Sequence, residues 1–147
     1  MGSMNNSSKA LTLLAVSLIG WLVMTATITN WWVAITRSQS AMGTTEFFVR
    51  EIVGNAPQHV YFLVVGSIFA LVLNNKQASM LWAFLTAAAA MCIYALTSHH
   101  IYFQSMTYLD IGILFNLYAL PLVFAVGGAL AVNIITDRKK PNDNTET

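Results

Sequence analysis

The sequence predicts an all-α integral membrane protein, a four-transmembrane-helix antiparallel bundle with a short interfacial helix in its first outer loop. The first observation is composition: 56% of the 147 residues are apolar and 9% are charged, whereas soluble domains carry roughly 25% charged residues. The second is the spacing of charge. A membrane-spanning helix needs about 20 apolar residues, and each uncharged run fits one such span but not two. The runs contain 27, 24, 33 and 26 residues and lie between Lys9 and Arg37, Glu51 and Lys76, Lys76 and Asp110, and Asp110 and Asp137.

The first apolar run, residues 10–35, is longer than the apolar core of a signal peptide, which is typically about 7–15 residues. It also ends in the pair Trp31 and Trp32. We therefore expect a retained helix. Residues 1–9 are polar and are expected to be flexible, with Met1–Ser3 left from a cloning vector and Met4 as the native start. The transmembrane domain is expected over residues 10–136, followed by a basic and then disordered tail over 137–147.

The later helices are bounded by polar and helix-capping residues. Asn55 is a candidate cap for helix two, and proline is favoured in the first turn of a helix. The sequence NNKQ is expected to form a tight inner turn between helices two and three. The expected limits are Pro57 to Asn74 for helix two, Ala78 to Ser98 or beyond for helix three, and Asp110 to Thr136 for helix four.

The first outer loop contains a candidate amphipathic helix over residues 45–54. At about 100° per residue, Phe48 and Ile52 share one face, while Glu46 and Arg50 lie on the other. Such a segment is expected either to lie flat on the outer leaflet or to pack over the bundle.

The distribution of lysine and arginine predicts the orientation. Basic residues favour the cytoplasmic side of a membrane, and four spans place both termini on one side. That side holds five basic residues against two on the other, Arg37 and Arg50. Both termini are therefore expected in the cytoplasm, most simply of a bacterial inner membrane. The five are Lys9, Lys76, Arg138, Lys139 and Lys140.

Small residues spaced four apart are expected to let the helices pack closely, since lipid gives helices no hydrophobic reason to associate. They lie on three helices, and the pattern does not distinguish contacts within the chain from contacts with a partner. The candidates are Gly66 with Ala70, Ala83 with Ala87, Ala125 with Ala129, and Gly127 with Ala131.

All three histidines map to the predicted outer side, where they form a candidate zinc or copper site. His59 and either His99 or His100 would supply nitrogen ligands, and Asp110 would supply a carboxylate. Adjacent histidines point about 100° apart on a helix, so one ion rarely takes both. The interpretation we prefer is that the imidazoles are polar-tipped anchors at the headgroup level. A pH-sensing role is a further alternative.

Asn116 and Pro121 lie in the outer half of helix four and are candidates for lining a small cavity. Proline removes one backbone hydrogen bond and permits a kink, which can either shape a cavity or simply bend the helix around its neighbours. The only cysteine, Cys92, falls mid-membrane and is expected to be a small packing residue.

The layout resembles the claudin-type tetraspan arrangement in its topology and in the segment TITNWW, residues 27–32. The Trp and paired-Cys signature of that family's first outer loop is absent, because Cys92 lies inside helix three. The resemblance therefore implies topology and no function.

These observations favour a non-enzymatic accessory, binding or immunity-type partner of another membrane protein. No catalytic set, redox pair or intramembrane charge stands out, so no cofactor is expected, and the few basic residues give no support to nucleic-acid binding. The expected partners are the lipid bilayer and either another membrane protein or a second copy of the chain. The alternatives are an outer-face metal-binding protein or metal-dependent enzyme, and a small-molecule carrier.

Overall fold

The computed structural model describes residues 6–36, 44–73, 75–97 and 114–138, with side chains over 6–27, 54–73, 75–97 and 114–137. The regular elements in these ranges are all helical. Four stretches of them are long and apolar enough to cross a membrane, which confirms the coarse fold class and indicates a multi-pass membrane protein. The elements are α1 (Asn6–Thr36), α2 (Thr44–Val72), α3 (Lys76–Thr97), a π-helical segment (Phe115–Ala119) and α4 (Leu120–Arg138). The candidate spans are Asn6–Thr27, Gly54–Val72, Lys76–Thr97 and Phe115–Asp137.

Helix α2 begins much earlier than the sequence pattern indicates. It runs from Thr44 to Val72 without a break, so residues 45–54 are helical but form the first part of α2 instead of a separate helix. Pro57 lies inside α2 and is exposed, so its ring does not have to fit against a neighbouring helix. It removes only the bond that its own N–H would make to the carbonyl of Val53, a loss that transmembrane helices tolerate. Near the N-terminus, α1 begins at Asn6, which lies within residues 1–9, the segment expected to be flexible.

A short turn joins α2 to α3. The N–H of Asn75 donates to the carbonyl of Leu73, and the Asn75 side chain accepts a hydrogen bond from the N–H of Ala78 at 3.0 Å. Asn75 is therefore the N-cap of α3, because a cap side chain satisfies a donor in the first turn of a helix. With Asn75 as the cap, Lys76 and Gln77 belong to the helix and not to the turn.

The helices contact one another unequally. The largest contact is between α2 and α4, followed by the contacts of α3 with α4 and with α2. Helix α1 makes smaller contacts with α2 and α3. The contact between α2 and α4 is therefore the centre of the described fold.

Some polar side chains are buried in the described structure, while many large apolar side chains are exposed. The buried polar or charged residues among the described side chains are His59, Ser79, Thr86, Asn116 and Asn133. Water-soluble proteins bury their apolar residues and expose polar ones, whereas lipid is as apolar as leucine. The distribution is therefore that expected of a surface facing hydrocarbon. The exposed apolar residues include Val16, Ile19, Val23, Leu71, Leu81, Leu96, Val123 and Ile135.

Candidate functional site

The contact between α2 and α4 depends on two glycines that bring the helix backbones together. A Cβ placed on Gly66 would lie 2.8 Å from the carbonyl carbon of Ala125 and would overlap its oxygen. A Cβ on Gly128 would lie 2.9 Å from the carbonyl carbon of Leu63 and would also overlap the oxygen. Ser67 reinforces this crossing, because its hydroxyl lies 2.9 Å from the oxygen of Leu63 and 3.4 Å from that of Gly128. We call these four contacting positions, Leu63, Gly66, Ala125 and Gly128, the glycine crossing.

The other small residues singled out by spacing divide into two groups. Gly127 and Ala131 are exposed, and a Cβ on Gly127 would meet nothing within 4 Å. The adjacent glycine, Gly128, faces α2 instead, so Gly127 makes no close contact with the described helices. The remaining five are buried within the chain: Ala70, Ala83, Ala87, Ala125 and Ala129.

Helix α4 therefore carries small residues on two opposite faces. Residues two apart on a helix point about 200° from each other, so Ala125 and Gly127 face in opposite directions. The inner face is covered by α2. The outward face, which we define as Val123, Gly127, Leu130, Ala131 and Ile134, is exposed to the surroundings of the described structure.

One of the two cavity candidates, Asn116, forms a buried polar contact with His59. The π-helical segment ends where Leu120 donates its N–H to the carbonyl of Phe115, five residues back. The next residue, Pro121, has no N–H to donate. The carbonyl oxygen of Asn116 instead lies 3.1 Å from Nε2 of His59, and since a carbonyl oxygen only accepts, Nε2 is the donor.

The surroundings of His59 hold this donor in place. His59 is 6% exposed, and its ring stacks on Phe124 with centroids 5.2 Å apart and planes 14° from parallel. Pro121 is also fully buried. His59 thus packs against α4 inside the described structure, and its ring does not point outward as that of an exposed anchor would.

The candidate metal set is only partly within the described residues. His99, His100 and Asp110 lie outside them, and within them no three His, Cys, Asp or Glu side chains come together. Of the set, the structure places His59 alone, with Nε2 directed at the Asn116 carbonyl. Cys92 is exposed, so it does not fill the packing role expected of it.

A second polar contact joins α3 to α4 at the other end of the bundle. The amide of Asn133 donates to the hydroxyl of Ser79 at 3.1 Å, and both residues are buried. The Ser79 hydroxyl donates in turn to the carbonyl of Lys76 at 2.9 Å. Lys76 also forms an ion pair with Asp137 at the exposed rim. These contacts fix the start of α3 against the end of α4.

Tyr61 and Trp21 join helix α1 to its neighbours. The hydroxyl of Tyr61 donates to the carbonyl of Ser17 at 2.5 Å, and it lies 2.7 Å from the position of a Cβ on Gly20. Trp21, which is 2% exposed, packs edge-on against Tyr94 with ring centroids 6.5 Å apart. Its indole N–H has no hydrogen-bond partner within the described part of the chain.

Sequence reasoning missed two of these contributors: the contact of Tyr61 with α1 and the pair formed by Ser79 and Asn133. The position of Asn133 could have indicated its contact, because it is a polar residue within an apolar run and such residues usually form a hydrogen bond inside the protein. Gly20 and Tyr61 carry no such signal, since nothing in their local sequence links them.

No protein-family model, curated protein or solved structure matches this chain. Its function is therefore inferred from the contacts described above.

Proposed function

We propose that this chain is a non-enzymatic accessory protein that binds a transmembrane helix of another membrane protein, as a small subunit or an immunity-type partner would. The observation that carries the proposal is the outward face of α4. Gly127 and Ala131 make a notch on it, and four-residue spacing of small residues lets a second helix approach closely. The same helix already uses this device on its inner face against α2.

The buried polar groups support a structural role for the interior. The contact of His59 with Asn116 and that of Asn133 with Ser79 each join two helices. Neither is an arrangement of nucleophile and base. The metal-binding and carrier hypotheses have no comparable support among the described residues.

The proposal includes an antiparallel bundle with both termini in the cytoplasm of a bacterial-type inner membrane. The short turn at Asn75 supports opposite directions for α2 and α3, and the pairing of Gln58 with Met91 agrees with it. Contacts of Asn133 with Ser79 and of Tyr118 with Tyr94 support the same relation for α3 and α4. The excess of lysine and arginine on the side of the termini supports the orientation.

Site-specific photo-crosslinking in native membranes tests the partner proposal. A photoreactive residue at Ala131 would report on the outward face of α4, and one at Ile19 on α1, which is also exposed, would serve as the control. We expect a discrete adduct with a membrane protein from position 131 and none from position 19. Gly127→Leu should abolish the adduct, because the larger side chain fills the notch while meeting nothing in its own chain.

The same experiment on purified protein in vesicles distinguishes the kind of partner. An adduct of twice the chain's mass in vesicles would show that the partner is a second copy and would overturn the proposal of a different protein. Equal crosslinking from positions 19 and 131, or an adduct that survives Gly127→Leu, would show that the notch does not bind a helix.

A further inference from the structure

Helix α2 is longer than the hydrocarbon core of a membrane. Its 29 residues extend about 44 Å at about 1.5 Å per residue, whereas the core is about 30 Å thick. The apolar span within α2 is Gly54–Val72, and the charged residues of the helix, Glu46, Arg50 and Glu51, all precede that span. Because charge is costly in hydrocarbon, we expect residues 44–53, which we call the arm, to leave the core on the predicted outer side.

A weak point in the helix joins the arm to the span. Pro57 lies inside α2 and has no N–H to donate, so the turn between the arm and the span lacks one backbone hydrogen bond. Gly54, which precedes it, tolerates a wider range of backbone angles than other residues do. Bending there frees further backbone groups, and water can bond them at the membrane surface but not within hydrocarbon. Residues 54–57, which we call the hinge, are therefore where α2 bends at least cost.

The arm has the sequence pattern of a helix that lies on lipid. At about 100° per residue, Phe48 and Ile52 fall on one side, and Glu46 and Arg50 fall on the other. Where the arm continues the direction of α2, its apolar side lies among headgroups and water. After a right-angle bend at the hinge, the same side would lie against the acyl chains and the charged side would face water, as in amphipathic helices that bind a membrane surface.

We propose that the arm bends at the hinge and binds the outer leaflet, so that lipid covers its apolar side. The span does not need to move with the arm. His59, which follows closely on the hinge, is 6% exposed and stacks on Phe124 of α4. This contact holds the start of the span in place while the arm changes direction. The chain thereby binds the outer leaflet through a segment separate from the helix faces that pack within the membrane.

The distance between the arm and the span distinguishes a bent α2 from a straight one. Spin-labelled cysteines replace Thr45 and the exposed Ile68 in a Cys92→Ser background, because Cys92 is the only native cysteine. A straight helix would hold the two backbone positions roughly 35 Å apart, and a right-angle bend at the hinge would bring them to about 25 Å. In vesicles of phosphatidylethanolamine and phosphatidylglycerol, we expect pulsed electron paramagnetic resonance to give the shorter distance.

A proline substitution tests the hinge itself. Pro57→Ala restores the missing backbone hydrogen bond, and the exposed position of Pro57 accepts the smaller side chain. We expect this variant to shift the measured distance toward the longer value. Val60→Ala, at another exposed position of α2, is the matched control and should leave the distance unchanged. The longer distance in the unaltered helix, or the shorter one retained in Pro57→Ala, would overturn the hinge.

A second readout identifies what covers the arm. Single labels at positions 48 and 50 are compared for their accessibility to oxygen, which concentrates in lipid, and to a water-soluble nickel chelate. We expect the ratio of oxygen to nickel accessibility to be several-fold higher at position 48 than at position 50. Shielding of position 48 from both reagents would mean that protein covers the apolar side, and it would overturn the binding of lipid even if the shorter distance were found.

Discussion

The adjacent glycines of α4 should respond to the same substitution in opposite ways. In Gly128→Ala the new methyl group would lie 2.9 Å from the carbonyl carbon of Leu63, which is 0.5 Å short of the 3.4 Å at which ordinary contact begins. The obstructing atoms belong to a helix backbone and cannot rotate away, so α2 and α4 must separate. Overpacking typically costs 1–3 kcal/mol, and with a rigid neighbour we expect about 3 kcal/mol. That is roughly a hundredfold in the unfolding equilibrium constant.

Gly127→Ala is the matched control. Its methyl group would meet nothing within 4 Å, while replacing glycine by alanine within a helix is favourable by roughly 0.5–1 kcal/mol. We expect this variant to be as stable as the parent or slightly more stable, and Gly66→Ala to behave like Gly128→Ala.

Unfolding by sodium dodecyl sulfate, starting from mild-detergent micelles and followed by circular dichroism, gives the free energy of unfolding for each variant. Equal stability of Gly128→Ala and Gly127→Ala would refute the reasoning, since it would mean that the backbones of α2 and α4 do not meet at Gly128. Loss of stability in both variants would equally contradict the assignment of Gly127 to the open face.

Three further predictions concern other contacts. Tyr61→Phe removes the hydrogen bond to Ser17, and we expect the association of α1 with α2 to weaken by about 1 kcal/mol. Disulfide crosslinking between cysteines placed on α1 and α2 should therefore fall, and undiminished crosslinking would contradict the prediction. Asn133→Leu should destabilise by only about 0.6 kcal/mol, the average for such bonds in membranes, because Ser79 keeps its backbone acceptor. A double-mutant cycle with Ser79→Ala checks this value, and a zero coupling energy would exclude the bond. A reporter that is active only in the cytoplasm should be active when fused after Thr147, and one that is active only in the periplasm should not. Activity of the periplasmic reporter would contradict the predicted orientation.

The four apolar spans of the described residues were predictable from the sequence because they depend on a one-dimensional property, the spacing of charge along the chain. Charged residues are excluded from hydrocarbon, so uncharged runs mark the spans. The beginning of α2 was not accessible in the same way. A proline after a capping residue is typical of a first turn, yet Pro57 lies inside α2, since a transmembrane helix tolerates the loss of one hydrogen bond.

The candidate site was less accessible, because it depends on which faces meet. By spacing alone, Gly127 and Gly66 are equally good candidates for close helix packing. Only the rotation of α4 about its axis places Gly128, and not Gly127, against Leu63. Similarly, His59 lies near the start of an apolar run and is typical of an interface residue. Its burial comes from Asn116 and Phe124, which are more than fifty residues away in the sequence.

The glycine crossing has a consequence for the order of assembly during synthesis. Its two sides belong to α2 and α4, so Gly66 has no partner backbone until Ala125 has been made, 59 residues later. At ribosomal rates of about 5–20 residues per second, that interval is roughly 3–12 s. During it, the face of α2 at Gly66 is open to another helix. Of the described helices, α4 is therefore the one that completes this contact, and its place beside α2 stays open to another helix for several seconds.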